Sequence, residues 1–231
     1  METFVFAGST GGATRTDSSI LLAAGALGLG FEPFLIQVFI EGNSSVSAHV
    51  RGLPFVTSVI EAGRGERITD RIRARSRGKA KYSPVIVDMP AQDVLETLLM
   101  LSGLQVQILV PMPEWLPDPG EAVADFKRLK NHWQHWEKLK RQCGARPVPL
   151  SRQPSVRLFP VGVVPDDVVP NLRRRNLLSD DESQASVVYP GLPRFNPSEM
   201  NFANGSHCFA LTESQIDASA RIARALLVDI D

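Results

Sequence analysis

Residues 4–17, Phe4-Val5-Phe6-Ala7-Gly8-Ser9-Thr10-Gly11-Gly12-Ala13-Thr14-Arg15-Thr16-Asp17, decide how the chain reads. Phe4 to Ala7 is a short apolar strand. The stretch from about Arg15 to Leu27, carrying Ile20, Leu21, Leu22, Ala23, Ala24 and Leu27, reads as an apolar helix. Strand, glycine loop, helix is the order that aims backbone N–H groups and a helix N-terminus at an anion. In an intact loop of this kind a lysine reaches the β/γ-phosphates and the following Ser or Thr hydroxyl helps hold Mg²⁺. Here Arg15 stands in the lysine position, Thr16 keeps the hydroxyl and Thr14 replaces a glycine. A left-handed backbone at Thr14 would cost roughly 1–2 kcal/mol, so the loop is expected to be reshaped.

Outward from the loop, strand-like runs at 3–7, 34–40, 55–60, 84–88, 106–110 and 156–164 alternate with helical stretches near 15–28, 66–77, 91–102, 121–142 and 214–228. That alternation predicts an α/β fold with a mostly parallel, doubly wound sheet. The continuous apolar runs Val85–Val87 and Ile108–Val110 suit central strands covered on both faces. Pro84-Val85-Ile86-Val87-Asp88-Met89-Pro90 ends such a run in an acid, and ligands of doubly wound sheets bind at the carboxyl ends of the strands.

Taken in order, these stretches resemble the ParA/MinD family of partitioning ATPases, whose deviant Walker-type loop reads Lys-Gly-Gly-x-Gly-Lys-[Thr/Ser]-[Thr/Ser]. Gly11, Gly12 and Thr16 match it, whereas Thr10, Thr14 and Arg15 replace its first lysine, its loop glycine and its second lysine. Asp88 matches the family's second acidic motif, and Val106 to Pro111 its following strand. The likeness covers residues 1 to about 115 well and the remainder in outline. It implies a single P-loop NTPase-like domain of the SIMIBI type over residues 1–231. Gly11, Gly12, Ala13, Thr14, Arg15 and Thr16 would bind ATP or ADP, with Thr16 and Asp88 at the accompanying Mg²⁺. It also implies a role in positioning or stabilising DNA or a DNA-processing complex, as in bacterial plasmid partition or conjugative transfer, with a homodimer and a protein partner. Gln37 and Phe39 occupy the neighbourhood of the family's metal-coordinating and water-activating acids, with Glu41 a substitute, so slow or absent hydrolysis is expected and no catalytic residue is assigned. Gly8-Ser9-Thr10-Gly11-Gly12 also resembles the start of a dinucleotide loop, but the third glycine falls at Thr14 and no Tyr-x-x-x-Lys pair follows.

The net charge of zero conceals an imbalance. Residues 64–81 hold Arg64, Arg67, Arg71, Arg73, Arg75, Arg77, Lys79 and Lys81 against Glu66 and Asp70, a local charge of +6. With Arg67, Arg71 and Arg75 at i, i+4 spacing on one expected helix, the segment could lie along a nucleic-acid backbone, with Arg73 and Arg77 flanking it. This supports the alternative of a non-hydrolysing, Arg-rich adaptor that binds nucleic acid or a protein partner on a P-loop scaffold.

The remaining signals are weaker. The 121–142 stretch draws an apolar stripe through Val123, Phe126, Leu129, Trp133, Trp136 and Leu139, read first as packing on the sheet and second as a partner surface. Nine of the seventeen prolines lie between Pro147 and Pro197, so a region from about 147 to 205 is expected to be irregular. Cys143 and Cys208 are far apart, and His132 and His135 have no ligand partners nearby in sequence, which assigns no metal to protein ligands alone. No apolar run approaches the length of a bilayer span, and the N-terminus lacks a signal pattern, so a cytoplasmic location is expected.

Overall fold

A computed structural model of the chain describes residues 2–9, 13–42, 53–78, 84–102, 104, 106–113, 119–142, 155–162, 165–179, 186–192 and 211–228. Its centre is a six-stranded, wholly parallel sheet built from β1 (Thr3–Phe6), β2 (Phe34–Ile40), β3 (Val56–Ala62), β4 (Val85–Asp88), β5 (Gln107–Pro113) and β6 (Ser155–Val161). The strands lie in the order β3-β2-β4-β1-β5-β6. The expectation of an α/β fold with a mostly parallel, doubly wound sheet therefore holds, and Ala7 and the residues after Phe6 leave the sheet at its middle.

Two helical layers cover the sheet, and side-chain alternation sorts them. Phe4, Phe6, Leu35, Ile86 and Leu109 point to the face covered by α1 (Ala13–Gly28) and α6 (Glu213–Leu227). Val5, Ala7, Ile36, Val85, Val87, Ile108 and Val110 point to the other, covered by α2 (Thr69–Ser76), α3 (Val94–Met100), α4 (Gly120–Gln142) and α5 (Pro165–Arg174). Burial on both faces is why β1 and β4 read as unbroken apolar runs.

Local chemistry fixes how the helices enter and leave the layers. α1 stops in a Schellman turn: Gly30 takes φ +86°, its N–H donates to the Leu27 carbonyl at 2.9 Å, and the Phe31 N–H donates to the Ala26 carbonyl at 3.0 Å. That turn aims the chain into β2. α6 opens on a capping box in which the Thr212 hydroxyl accepts from the Gln215 N–H and the Gln215 side chain accepts from the Thr212 N–H.

Two expectations change. Residues 147–205 were expected to be largely loop beyond the strand, but α5 forms at Pro165–Arg174 with Val168, Val169 and Leu172 buried against the sheet. Pro165 is compatible with a first helical turn, and Pro170 is exposed, so burial of the opposite stripe outweighs the hydrogen bond that Pro170 removes. The basic helix is also shorter than 66–77. It begins at Thr69, whose hydroxyl donates to the Ser102 carbonyl, after Ile68 is anchored through its N–H to Met100. On α4, Val123, Phe126 and Leu129 are buried as the stripe predicts, while the side chains of Trp133, Trp136 and Leu139 lie outside the described residues, as do Cys143 and Cys208.

Candidate phosphate and metal site

Asp88 ends β4 and is flanked in register by Phe6 of β1 and Gln37 of β2, which puts its carboxylate at the carboxyl edge of the central strands. Like Ile86 two residues earlier, it faces the α1 side of the sheet. The Thr16 hydroxyl, on the first turns of α1, donates to Asp88 Oδ2 at 2.7 Å, and Gln37 Nε2 approaches the same oxygen at 3.3 Å. Thr16 and Asp88, separated by most of the sheet in sequence, thus meet at the place where strand, loop and helix converge. Gln37 Oε1 is buried without a hydrogen-bond partner.

Arg15 lies inside this site. Its guanidinium is almost wholly buried, Nη1 donates to the Gly8 carbonyl, and Nε is buried without a partner. Gly8 has φ +149°, a conformation that glycine adopts readily and other residues do not, so the strand can turn outward and present that carbonyl. Burial lowers the pKa of Arg15, and the nearby negative charges of Asp88 and Asp125 oppose the shift. The buried cation thus has the Gly8 carbonyl as its hydrogen-bond partner and two nearby acids whose charge offsets part of its desolvation.

The acids themselves are perturbed. Burial pushes Asp88 up to about 6, against the lowering effects of the Thr16 hydroxyl, the Arg15 charge and the Gln37 amide. Asp17, one residue beyond Thr16, is pushed up to about 7 by burial and then by the charge of Asp88. Such clustered shifts are typical of sites prepared for a cation or a proton.

Asp125 was not singled out from the sequence. It sits on α4 with 1% exposure, and its Oδ2 accepts both the Ser9 N–H at 2.7 Å and the Ser9 hydroxyl at 2.8 Å. The signal was present: Asp125 falls three residues after Ala122 and four before Leu129, on the buried stripe of α4, where a lone acid needs partners. Of the loop residues expected to bind nucleotide, Thr14 is buried and Arg15 and Thr16 are placed as above, Ala13 opens α1, and Gly11 and Gly12 lie outside the described residues. Phe39 is half-buried and Glu41 is exposed at the end of β2. The oxygen set of Asp88, Thr16 and Gln37 Oε1 is of the hard type that suits Mg²⁺, and the unpartnered amide oxygen gives the set spare capacity.

The basic residues form a second, separate group. Arg67 precedes α2 and so does not share a helical face with Arg71 and Arg75. It pairs with Asp70 at 2.6 Å, Arg71 pairs with Glu66 at 3.3 Å, and Arg73 approaches Asp70 at 3.6 Å. All of these pairs are exposed, where such contacts contribute little. Arg75 and Arg77 are exposed as well.

No family model matches the chain, and no curated protein matches it in sequence. Solved structures do match along nearly its whole length. A chain of the MinC:MinD cell division protein complex of Aquifex aeolicus is 15% identical, with 100% of this chain and 97% of that one covered at a TM-score of 0.57. Cobyrinic acid a,c-diamide synthase from Mycobacterium smegmatis, solved with an ATP analogue and magnesium, is 18% identical over 98% and 94% at 0.58. A candidate plasmid partition protein from Borrelia burgdorferi B31 bound to AMPPNP is 12% identical over 99% of each chain at 0.51. The chain is similar to these ParA/MinD-type P-loop proteins in fold.

Proposed function

We propose that the chain is a nucleotide-responsive protein that binds ATP or ADP with Mg²⁺ at the β1–α1 loop and turns it over slowly or not at all. The observation that carries the proposal is the 2.7 Å contact between the Thr16 hydroxyl and Asp88 at the switch point of the sheet. These are the two positions that the loop chemistry requires for the metal. Support comes from neighbours of the same fold that were solved with an ATP analogue and magnesium or with AMPPNP.

In this reading the backbone N–H groups of the loop would meet the phosphates, and Thr16, Asp88 and Gln37 would supply oxygens to Mg²⁺. When bound, the metal would neutralise phosphate charge. Arg15 would reach the phosphates bidentately after leaving the Gly8 carbonyl, with a geometry different from that of a lysine. Phe39 supplies no base, and Gln37 carries no charge to orient an attacking water as an acid would. By likeness to the plasmid partition neighbour, the biological role we assign is positioning or stabilising DNA or a DNA-processing complex, as a dimer or with a protein partner.

Calorimetric titration with ATP and Mg²⁺, beside ADP and beside each nucleotide in EDTA, tests the binding reading. Saturable, Mg²⁺-dependent heat that Asp88→Asn abolishes is the expected result. Absence of heat with every nucleotide, from a protein with a cooperative unfolding transition, would leave the alternative of an adaptor on an empty scaffold, for which exposed Arg75 and Arg77 are the specific observation.

A further inference from the structure

With Arg15 and Thr16 on the last two positions of the pattern G-x-x-x-x-G-K-[ST], Ser9 falls on its first glycine and Thr14 on its second. A glycine there would keep its N–H but have no hydroxyl to reach α4. Ser9 instead gives both its N–H and its hydroxyl to one oxygen of Asp125, 116 residues away, on a carboxylate shielded from solvent. The same carboxylate is one of two negative charges that act on the buried Arg15 guanidinium, the other being Asp88. The departures at Ser9 and Arg15 and the buried acid on α4 therefore belong to one arrangement.

We infer that Asp125 is a positioning residue that clasps the start of the phosphate loop to α4 and holds Arg15 turned inward, in competition with the phosphates of a ligand. The competition follows from geometry and charge. Arg15 is buried with Nη1 on the Gly8 carbonyl, and the acid that compensates its buried charge favours that inward position over one forked onto a ligand's phosphate. A ligand's phosphates must supply what Asp125 supplies in the empty protein. Asp125→Asn keeps the size and the hydrogen-bonding oxygen while removing the charge, so it loosens Arg15 with the least change in packing.

This inference rests on the nucleotide reading only for its second half, and the test separates the two. Arg15 reactivity toward phenylglyoxal, read residue by residue by mass spectrometry on the ligand-free protein, is expected to be low in the wild type and about fivefold or more faster in Asp125→Asn, a coupling of ordinary size. Ser9→Gly, which restores the pattern and removes only the hydroxyl bond, is expected to move in the same direction by less, and it decides the matter if Asp125→Asn fails to fold. Unchanged Arg15 labelling in a folded variant overturns the clasp. In the second arm, a fluorescent ADP analogue is titrated into both proteins. Tighter binding to Asp125→Asn supports the competition, and weaker or equal binding overturns it. Faster labelling with no analogue bound by either protein keeps the clasp and removes the nucleotide reading instead.

Discussion

Gly25 lies at the closest approach of α1 and α6, and replacing it with alanine should cost stability although alanine is the better helix former. A Cβ built there would stand 2.0 Å from the Ser219 carbonyl oxygen, 2.3 Å from the Ser219 carbonyl carbon and 2.9 Å from the Ala220 nitrogen. All three atoms are main chain, so no side-chain rotation relieves the clash. Carbon contacts begin at about 3.5 Å, which requires the helices to part by roughly 1.5 Å, and gaps of that order forfeit more than half of each dispersion contact they open. The seam includes Leu22, Ala26, Ile222, Ala223 and Leu226, all buried. Overpacking of this kind costs about 3 kcal/mol or more, and the helix-propensity gain returns about 1, for a net loss of about 2 kcal/mol. For a chain of this size that is roughly 4–8 °C in Tm. Thermal and urea unfolding of Gly25→Ala measure it, with Gly28→Ala as the control in the same helix, because nothing lies within 4 Å of a Cβ at Gly28. Equal stability of the two variants, or rescue of Gly25→Ala by Ser219→Gly, would refute the main-chain clash.

Three further outcomes are expected. Asp17 and Asp88 have folded-state pKa values raised to about 7 and about 6, so the stability they contribute is complete below their unfolded values near 4 and is lost as pH rises through 6 to 7; the ligand-free protein should melt higher at pH 5.5 than at pH 8, and Asp17→Asn should flatten that difference in a thermal-shift series. Thr10→Lys, Thr14→Gly and Arg15→Lys made together should tighten nucleotide binding and raise turnover, and a wild type that hydrolyses ATP as fast as the restored loop in a phosphate-release assay would contradict the account of the loop. If the basic segment binds DNA, log K should fall by about 0.9 per phosphate contact against log salt; replacing Arg75 and Arg77 with Gln should reduce that slope in a gel-shift series more than replacing the acid-paired Arg67 and Arg71 does.

The parts of the fold that the sequence revealed are those where one local pattern had one physical solution. Val85–Val87 suited a central strand, and Asp88 at its end emerges at the carboxyl edge, where Thr16 meets it. α5 was hidden because Pro165 and Pro170 read as breaks, whereas Val168, Val169 and Leu172 bury a stripe that keeps the helix. Arg67 looked helical by spacing alone, and the tertiary anchors of Ile68 and Thr69 moved the helix start past it. Asp125 escaped because its meaning is non-local: an acid on a buried stripe signals a partner, but not that the partner is Ser9 at the start of the chain.

The charges brought together at the loop bear on what the site can do with a nucleotide. Phosphoryl transfer is accelerated mainly by fixed positive charge aimed at oxygens whose charge grows in the transition state. The cation in place of the lysine of the related loop is already bonded to the Gly8 carbonyl and faces the charges of Asp88 and Asp125, and Asp17, raised to about 7, stands ready to add negative charge at the same turn of α1. Binding a polyphosphate therefore calls on the metal to offset both the ligand and these carboxylates, and little positive charge is left for the transition state beyond that used in the ground state. An interaction that is equal in both states lowers the dissociation constant without raising the rate. With Phe39 and neutral Gln37 where acids would orient water, the same residues that make a holding site account for slow turnover in the proposed function, and they explain why restoring the loop alone is expected to improve binding more than catalysis.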